Sequence, residues 1–203
     1  MNLYNKYILP KFLNFVMKNN EMKKHRPDVV SHTFGITIEI GFGSGLNLPY
    51  YKNVTTLYAL DPSLELYEFA KKQISQSNFP IKYLPFKAEN IPLPDNFADS
   101  VISTWSMCSI VHPEIALKEI YRVLKPNGVF TFIEHGKSER SFIIKLQKLF
   151  TPLSKIFGGG CHLNREIDTL ISNAGFKIIK LEKFEQKSKS LAFLYKGVAR
   201  VEK

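Results

Sequence analysis

The sequence is poor in cysteine, in long apolar runs and in acidic residues, and each shortage argues against a class of protein. Its two cysteines, Cys108 and Cys161, form no CxxC pair, which argues against a disulfide-stapled secreted domain and favours a reducing interior with free thiols. No apolar run approaches the roughly 20 residues of a membrane-spanning helix. The N-terminus lacks a basic start followed by a continuous apolar stretch, so no signal peptide is expected. These absences predict a cytoplasmic protein, with peripheral membrane contact as an open alternative.

Acidic residues number 18 against 28 basic ones, which leaves a net charge of +10. Such an excess favours polyanions such as nucleic acid or an anionic membrane. The lysines are scattered and form no dense run, so a solvated Lys-rich surface is the favoured interpretation. The 203 residues, 44% of them hydrophobic, suit one folded domain.

Short apolar runs alternate with helical periods along the chain. Strands are predicted at residues 36–40, 55–60, 81–84, 98–103, 129–133, 176–184 and 191–199, and helices at residues 63–75, 113–124 and 165–174. This alternation predicts an α/β fold, a doubly wound and mostly parallel seven-stranded sheet with helices on both faces. The last two strands have only the polar residues 186–190 between them, so one must run antiparallel near the sheet edge.

The N-terminal part has a different pattern. Residues 2–24 show the period of an amphipathic helix, and Pro10 predicts a break or kink there. We divide the chain into an N-terminal helical segment, residues 1–30, and a main domain, residues 31–203. Ser63 and Asn164 are predicted to cap the starts of two later helices.

A glycine-rich segment follows the first predicted strand. Residues 39–47 read E-I-G-F-G-S-G-L-N. Glycine permits a tight turn and close approach of backbone to a ligand, and ligands of doubly wound sheets bind beyond the carboxyl ends of the strands. In the dinucleotide fingerprint G-x-G-x-x-G the third glycine stands one residue later, so an NAD-dependent oxidoreductase is disfavoured.

Asp61 ends the second predicted strand, where a carboxylate can accept hydrogen bonds from a ribose diol. Further along, residues 88–94 read A-E-N-I-P-L-P, residues 97–102 read F-A-D-S-V-I, and residues 120–128 read I-Y-R-V-L-K-P-N-G. Asn127 stands where glycine is usual in the last pattern, and asparagine tolerates the same positive φ.

These segments and the pattern E-x-G-x-G-x-G resemble the class I S-adenosylmethionine-dependent methyltransferases, whose fold is Rossmann-like. The resemblance implies S-adenosylmethionine as cofactor and S-adenosylhomocysteine as product. It also implies which residues contact each part of the cofactor. The methionine portion would be bound by Glu39, Gly41, Phe42, Gly43, Ser44, Gly45 and Asn47. The ribose would be bound by Asp61 and Pro62, the adenine would be bordered by Ala88 and Glu89, and the sulfonium would lie near Thr104 and Trp105. Lys87 departs from the family, in which an Asp often meets the adenine amino group.

Segments outside these motifs point to a smaller family within this class. Residues 2–10, 103–110, 134–136 and 159–165 resemble the type 11, UbiE-like small-molecule methyltransferases, especially the methyltransferase-like proteins related to thiol methyltransferases. This implies methyl transfer to a thiol, amine, oxygen or lipid-like acceptor.

Candidate catalytic residues are few, because the cofactor brings the reactive methyl group and the protein mainly aligns it in a dry pocket. A base is needed only for a protonated acceptor. His135 and His162 are the candidates, although each can equally pin a loop. Residues expected near the substrate are Tyr4, Tyr7, Trp105, Cys161 and Asn164. Trp105 can equally border the core, and Cys161 is favoured as a small buried apolar residue.

A metal is not expected. His135, His162, Cys108 and Cys161 are potential zinc ligands, but their spacings match no common zinc site.

The N-terminal segment is a lid, a membrane contact or a helix packed on the sheet, and a lid predicts that Tyr4 or Tyr7 touches the cofactor. Two alternative functions stay open for the whole chain. One is a membrane-associated phospholipid or quinone methyltransferase, and the other a non-catalytic methyltransferase-like RNA-binding module. No basic patch is interleaved with aromatics, so nucleic acid is not the expected partner. The sequence leaves the oligomeric state open.

Overall fold

A computed structural model of the chain describes residues 3–186 and 191–203. Seven strands form one sheet in the order β3-β2-β1-β4-β5-β7-β6. Their bounds are β1 Gly35–Ile40, β2 Val54–Leu60, β3 Ile81–Leu84, β4 Ala98–Thr104, β5 Leu124–Gly136, β6 Phe176–Glu185 and β7 Phe193–Val201. The predicted fold class is confirmed.

Helices precede and connect the strands. They are a π-helical turn Tyr4–Ile8, α1 Leu9–Met17, α2 Asn20–Lys23, α3 Arg26–Ser31, a 3-10 turn Leu48–Tyr50, α4 Leu64–Ile74, α5 Pro113–Val123, α6 Ser141–Phe157 and α7 Ile167–Asn173. None of the helices in the described part is long and apolar enough to cross a bilayer.

The sheet is parallel from β3 to β5, and β7 runs antiparallel between β5 and β6. This confirms the prediction of one antiparallel strand near the edge. Residues 187–190 of the predicted hairpin loop lie outside the described residues.

The two faces of the sheet carry separate apolar cores. The core on one face joins the apolar stripes of α5 and α7 to β4 and β5. The other joins α2, α3 and α4 to β2. Central strands buried on both faces are the expected consequence of helices covering a parallel sheet.

The N-terminal helix differs from its prediction. The helix changes type beside Pro10, because the π-helical turn Tyr4–Ile8 runs directly into α1 at Leu9. A full break follows after Met17, and the side chain of Asn19 caps α2 by accepting from the Met22 amide at 2.9 Å. The division at residue 30 falls inside α3, whose Val29 and Val30 are core residues.

Helix capping is confirmed at one position and corrected at the other. The side chain of Ser63 accepts from the Leu66 amide and caps α4. Asn164 caps nothing, because α7 begins at Ile167 after Glu166. Asn127 has φ +62°, as its place in the turn requires.

Candidate active site

A cavity of about 330 Å³ lies at the carboxyl ends of β1, β2 and β4. Most residues predicted from the sequence to hold the cofactor line it: Glu39, Gly41, Phe42, Gly43, Ser44, Asp61, Pro62, Ala88, Glu89, Thr104 and Trp105. The strand order explains this gathering, because β1 is central and its neighbours end at the same edge of the sheet.

The three glycines after β1 have φ between +57° and +72°, a region that side chains rarely adopt. A Cβ at Gly41 would lie 2.0 Å from the Oγ of Ser106, whereas a Cβ at Gly43 would meet nothing closer than a backbone oxygen at 3.8 Å. Gly43 therefore keeps an open face toward the cavity. Gly45 does not line the cavity, and a Cβ there would lie 3.1 Å from side-chain atoms of Ala70 and Leu48, so its contact with the cofactor stays a prediction.

Glu39 ends β1 and is held by a buried hydrogen-bond network. Its Oε1 accepts from Asn47 Nδ2 at 2.8 Å, and its Oε2 accepts from the Tyr51 hydroxyl at 2.7 Å. Burial raises the pKa of Glu39 to about 7. Asn47 also bonds Thr104 and Arg26. It is fully buried and does not line the cavity, and through these bonds it positions side chains that do. Its own contact with the cofactor stays a prediction.

Asp61 is tied to the glycine loop. Its two carboxylate oxygens accept from the amides of Gly43 and Ser63, each at 2.8 Å. Burial raises the pKa of Asp61. Each oxygen keeps a second lone pair, so the carboxylate can still accept from a ribose diol.

Two polar atoms in the cavity wall are buried and form no hydrogen bond with the described residues: Asn14 Oδ1 and Trp105 Nε1. Such atoms in a native site call for a partner. The guanidinium carbon of Arg26 stands 4.9 Å from the Trp105 ring centroid, and Arg26 also lines the cavity. Arg26 and Asn14 lie outside every motif found in the sequence, so no signal pointed to them.

Helix α1 closes one side of the cavity with Leu13, Asn14 and Met17. That Tyr4 or Tyr7 touches the cofactor, as a lid would require, stays a prediction. The Tyr4 hydroxyl donates to the carbonyl of Phe157, and neither Tyr4 nor Tyr7 lines the cavity. Both tyrosines lie in the turn before α1, whereas the side chains that line the cavity come from residues 13–17 of α1.

None of the predicted residues His135, His162, Cys161 and Asn164 lines the cavity. His162 pins its own loop, because its Nδ1 lies 2.9 Å from the Gly160 carbonyl, and burial lowers its pKa. The structure does bring Cys108, His135 and Cys161 together. Their spacing in the sequence gave no hint of this, because they come from three separate parts of the fold: the connection after β4, the end of β5 and the connection after α6.

The cavity fits S-adenosylmethionine. Glu39 and Arg26 offer opposite charges for the ammonium and carboxylate of its methionine portion, Asp61 suits the ribose, and the open face of Gly43 admits the ligand. When bound, the cofactor supplies an electrophilic methyl group, and the protein aligns it and excludes water. The fold and this site define a class I S-adenosylmethionine-dependent methyltransferase.

Comparison with known proteins extends this assignment. The family model described as "Methyltransferase domain" matches residues 38–132. Thiol S-methyltransferase TMT1B of Homo sapiens is 31% identical over 178 residues, covering 81% of this chain and 72% of the relative. The chain belongs to the family of S-adenosylmethionine-dependent, small-molecule methyltransferases that contains this enzyme.

More distantly similar proteins are also methyltransferases. Phosphatidylethanolamine N-methyltransferase of Cereibacter sphaeroides is 24% identical over 126 residues, covering 61% of this chain and 62% of that protein. A solved S-adenosylmethionine-dependent methyltransferase from Aquifex aeolicus superposes with a TM-score of 0.67 at 19% identity, covering 95% of this chain and 98% of its own. The second similarity concerns the fold alone.

Proposed function

We propose that the protein methylates the sulfur of a small apolar thiol. The observation that carries this proposal is the character of the cavity wall beyond the predicted cofactor residues. This wall is formed by Leu13 and Met17 of α1 and by Ile110 and Val111 after β4. Among the described residues that line the cavity there is no histidine to serve as base.

The chemistry of a thiol suits such a wall. An ordinary thiol has a pKa near 8.5 and is a strong nucleophile once ionised. An alcohol stays protonated near neutrality and depends more on a positioned base. The similarity to relatives named thiol S-methyltransferases supports the same acceptor class.

An acceptor series of equal chain length tests the proposal. The purified protein is incubated with S-adenosylmethionine and an alkyl thiol, alcohol or amine, and the methylated product is measured by mass spectrometry. We expect product from the thiol only. Equal rates for the alcohol or amine, or no thiol product from protein that binds S-adenosylhomocysteine, would contradict it.

We further propose that the protein attaches peripherally to anionic membranes. Helices α1 and α6 present exposed apolar side chains: Phe12 and Phe15 on α1, and Phe142, Leu149, Phe150, Leu153, Ile156 and Phe157 on α6. The two helices are neighbours, since Leu9 and Leu13 of α1 approach Gly159, two residues after the end of α6.

The charge of these helices supports an anionic lipid surface as the occupant. Neither contains an acidic residue, whereas α1 carries Lys11 and α6 carries Lys145, Lys148 and Lys155, all exposed. Apolar side chains flanked by lysines are the pattern of a helix that lies in the lipid interface. Helix α1 lines the cavity, as do Gly158 and Gly159 directly after α6, so an acceptor dissolved in lipid would have a short path to it. A cytoplasmic location with such attachment stays a prediction.

Sedimentation with vesicles tests this surface. We expect binding to phosphatidylcholine vesicles that contain phosphatidylserine, and a loss of binding at high salt. Phe15→Asp should lower binding at least tenfold, because Phe15 is 79% exposed on α1. Ile179→Asp is the matched control, because Ile179 is 54% exposed on the edge strand β6. Equal losses in both variants would contradict the proposed surface.

A further inference from the structure

A Cys–His–Cys cluster lies beside the cavity. It consists of Cys108 in the connection after β4, His135 near the end of β5, and Cys161 in the connection after α6. The two Sγ atoms and one imidazole nitrogen all lie within 4.8 Å of one another. Cys108 is buried, while His135 and Cys161 are partly exposed.

The backbone fixes this arrangement independently of the thiols. The amide of His162 donates to the carbonyl of Cys108 at 2.8 Å. The guanidinium of Arg165 donates to the carbonyl of Met107, and the Arg165 carbonyl accepts from the Lys137 amide. The loops that carry the three side chains are therefore bound to one another before any ligand arrives.

One atom of the cluster lacks the hydrogen bond that its burial demands. His135 Nε2 is buried and forms no hydrogen bond of ordinary geometry with the described residues. A buried nitrogen left in this way costs about 1–3 kcal/mol. A bound metal ion would satisfy it, since a neutral imidazole nitrogen and two thiolates are the donors that zinc prefers.

We propose that Cys108, His135 and Cys161 bind one Zn²⁺ ion and leave its fourth coordination position open. With Zn–S bonds of about 2.3 Å, two tetrahedral thiolates stand roughly 3.8 Å apart. Contraction from the present limit of 4.8 Å by about 1 Å would close the site. Three protein ligands with one open position are typical of catalytic zinc.

The open coordination position would bind the sulfur of the acceptor, a role that rests on the proposed thiol methylation. Ser109, which follows Cys108, lines the cavity, as do Gly158 and Gly159 just before Cys161. An acceptor thiol would lose its proton to water as its sulfur binds the ion. Its thiolate would then form the new S–C bond as the sulfonium S–C bond breaks and its electron pair stays with S-adenosylhomocysteine. The thioether product, a weaker ligand, would leave.

Cobalt substitution tests the site without reference to activity. Reduced, metal-free protein is titrated with Co²⁺ and then with Zn²⁺. We expect one equivalent of Co²⁺ to produce thiolate charge-transfer and tetrahedral d–d absorption bands, and Zn²⁺ to bleach them. A short alkyl thiol should shift the d–d bands if the fourth position is open.

Variants locate the ligands. Cys161→Ser and His135→Gln should each lower Co²⁺ affinity at least tenfold, whereas His112→Gln, at an exposed histidine, should leave it unchanged. Thermal unfolding and binding of S-adenosylhomocysteine verify that each variant is folded. Absence of the bands in protein with two titratable thiols overturns the metal site. Bands without any thiol-induced shift overturn the open position, and thiol methylation itself is judged separately by the acceptor series.

Discussion

Two glycines in the loop after β1 differ in what a methyl group would meet. We expect Gly41→Ala to destabilise the protein by roughly 3 kcal/mol, because it adds a clash with Ser106 to an unfavourable φ. Gly43→Ala should cost only about 1 kcal/mol, from backbone conformation alone. Its methyl group would occupy the cavity face and weaken S-adenosylhomocysteine binding at least tenfold. Urea unfolding and calorimetry measure the two effects, and equal losses of stability would contradict this account.

Glu39 makes stability depend on pH. Its folded pKa of about 7 lies above its ordinary value of 4.5, so between these pH values the folded chain holds a proton that the unfolded chain has lost. The stabilisation is complete below pH 4.5 and is lost as pH rises through 7, which amounts to roughly 3 kcal/mol. Glu39→Gln should remove this part of the slope, as measured by urea unfolding between pH 4.5 and 8. An unchanged slope would contradict the prediction.

The same carboxyl group should make cofactor binding release a proton. A ligand ammonium group favours ionised Glu39, so S-adenosylhomocysteine should bind more tightly as pH rises from 6 to 8. Calorimetry in buffers of different ionisation enthalpy detects the proton. In Glu39→Gln both the proton release and the pH dependence should disappear, and their persistence would assign them to another group.

Asp61 links the loop to the predicted ribose position. We expect Asp61→Asn to lower S-adenosylhomocysteine affinity roughly 10- to 100-fold, because charge-assisted hydrogen bonds contribute about 1.5–3 kcal/mol. Asp95→Asn is the control, since Asp95 is exposed and pairs with Arg122 away from the cavity. Calorimetry on both variants gives the comparison. A matching loss in the control would indicate a general charge effect.

At the scale of the element, α6 is held by few buried side chains. Of its 17 residues only Ile143 and Gln147 are buried. The Gln147 side chain accepts from the Ser138 amide and donates to the carbonyls of Gly136 and Leu191. Gln147→Leu should therefore destabilise the protein by about 3 kcal/mol, because two buried backbone groups and one partly buried group lose their partner.

Hydrogen exchange checks this prediction. Protection should fall first in α6 of Gln147→Leu, while the amides of α5 keep theirs, because α5 buries a full apolar stripe. Thr151→Val is the matched control, since the Thr151 hydroxyl donates within α6, to the Gln147 carbonyl. Uniform loss of protection across the chain would show that α6 does not open separately.

The sequence predicted best those helices and strands whose apolar residues follow one clear spacing. The strand at residues 81–84 and the start of α5 at Pro113 agree with the structure. Helix α6 was not predicted, because Pro152 lies inside it and its apolar residues mostly face solvent instead of a core. Pro10 changes the type of helix instead of ending it, because the π-helical turn Tyr4–Ile8 runs directly into α1.

At the scale of the whole molecule, local motifs predicted the cofactor half of the site. Glycines with positive φ and a carboxylate at a strand end are short-range features, and the parallel sheet brings them to one edge. The N-terminal wall of the cavity was beyond such reasoning. The contact of Arg26 with Trp105 joins residues far apart in the sequence, as does the clustering of Cys108 with Cys161. Only tertiary packing creates these contacts.

Trp105 holds a left-handed backbone conformation, lines the cavity and has Arg26 against its ring. It is also the single tryptophan of the chain. The tryptophan fluorescence of the protein therefore originates at one cavity wall, where an arriving ligand would change the surroundings of the indole. Emission at this one site would follow occupancy in real time, so the protein carries its own optical probe for ligand screening.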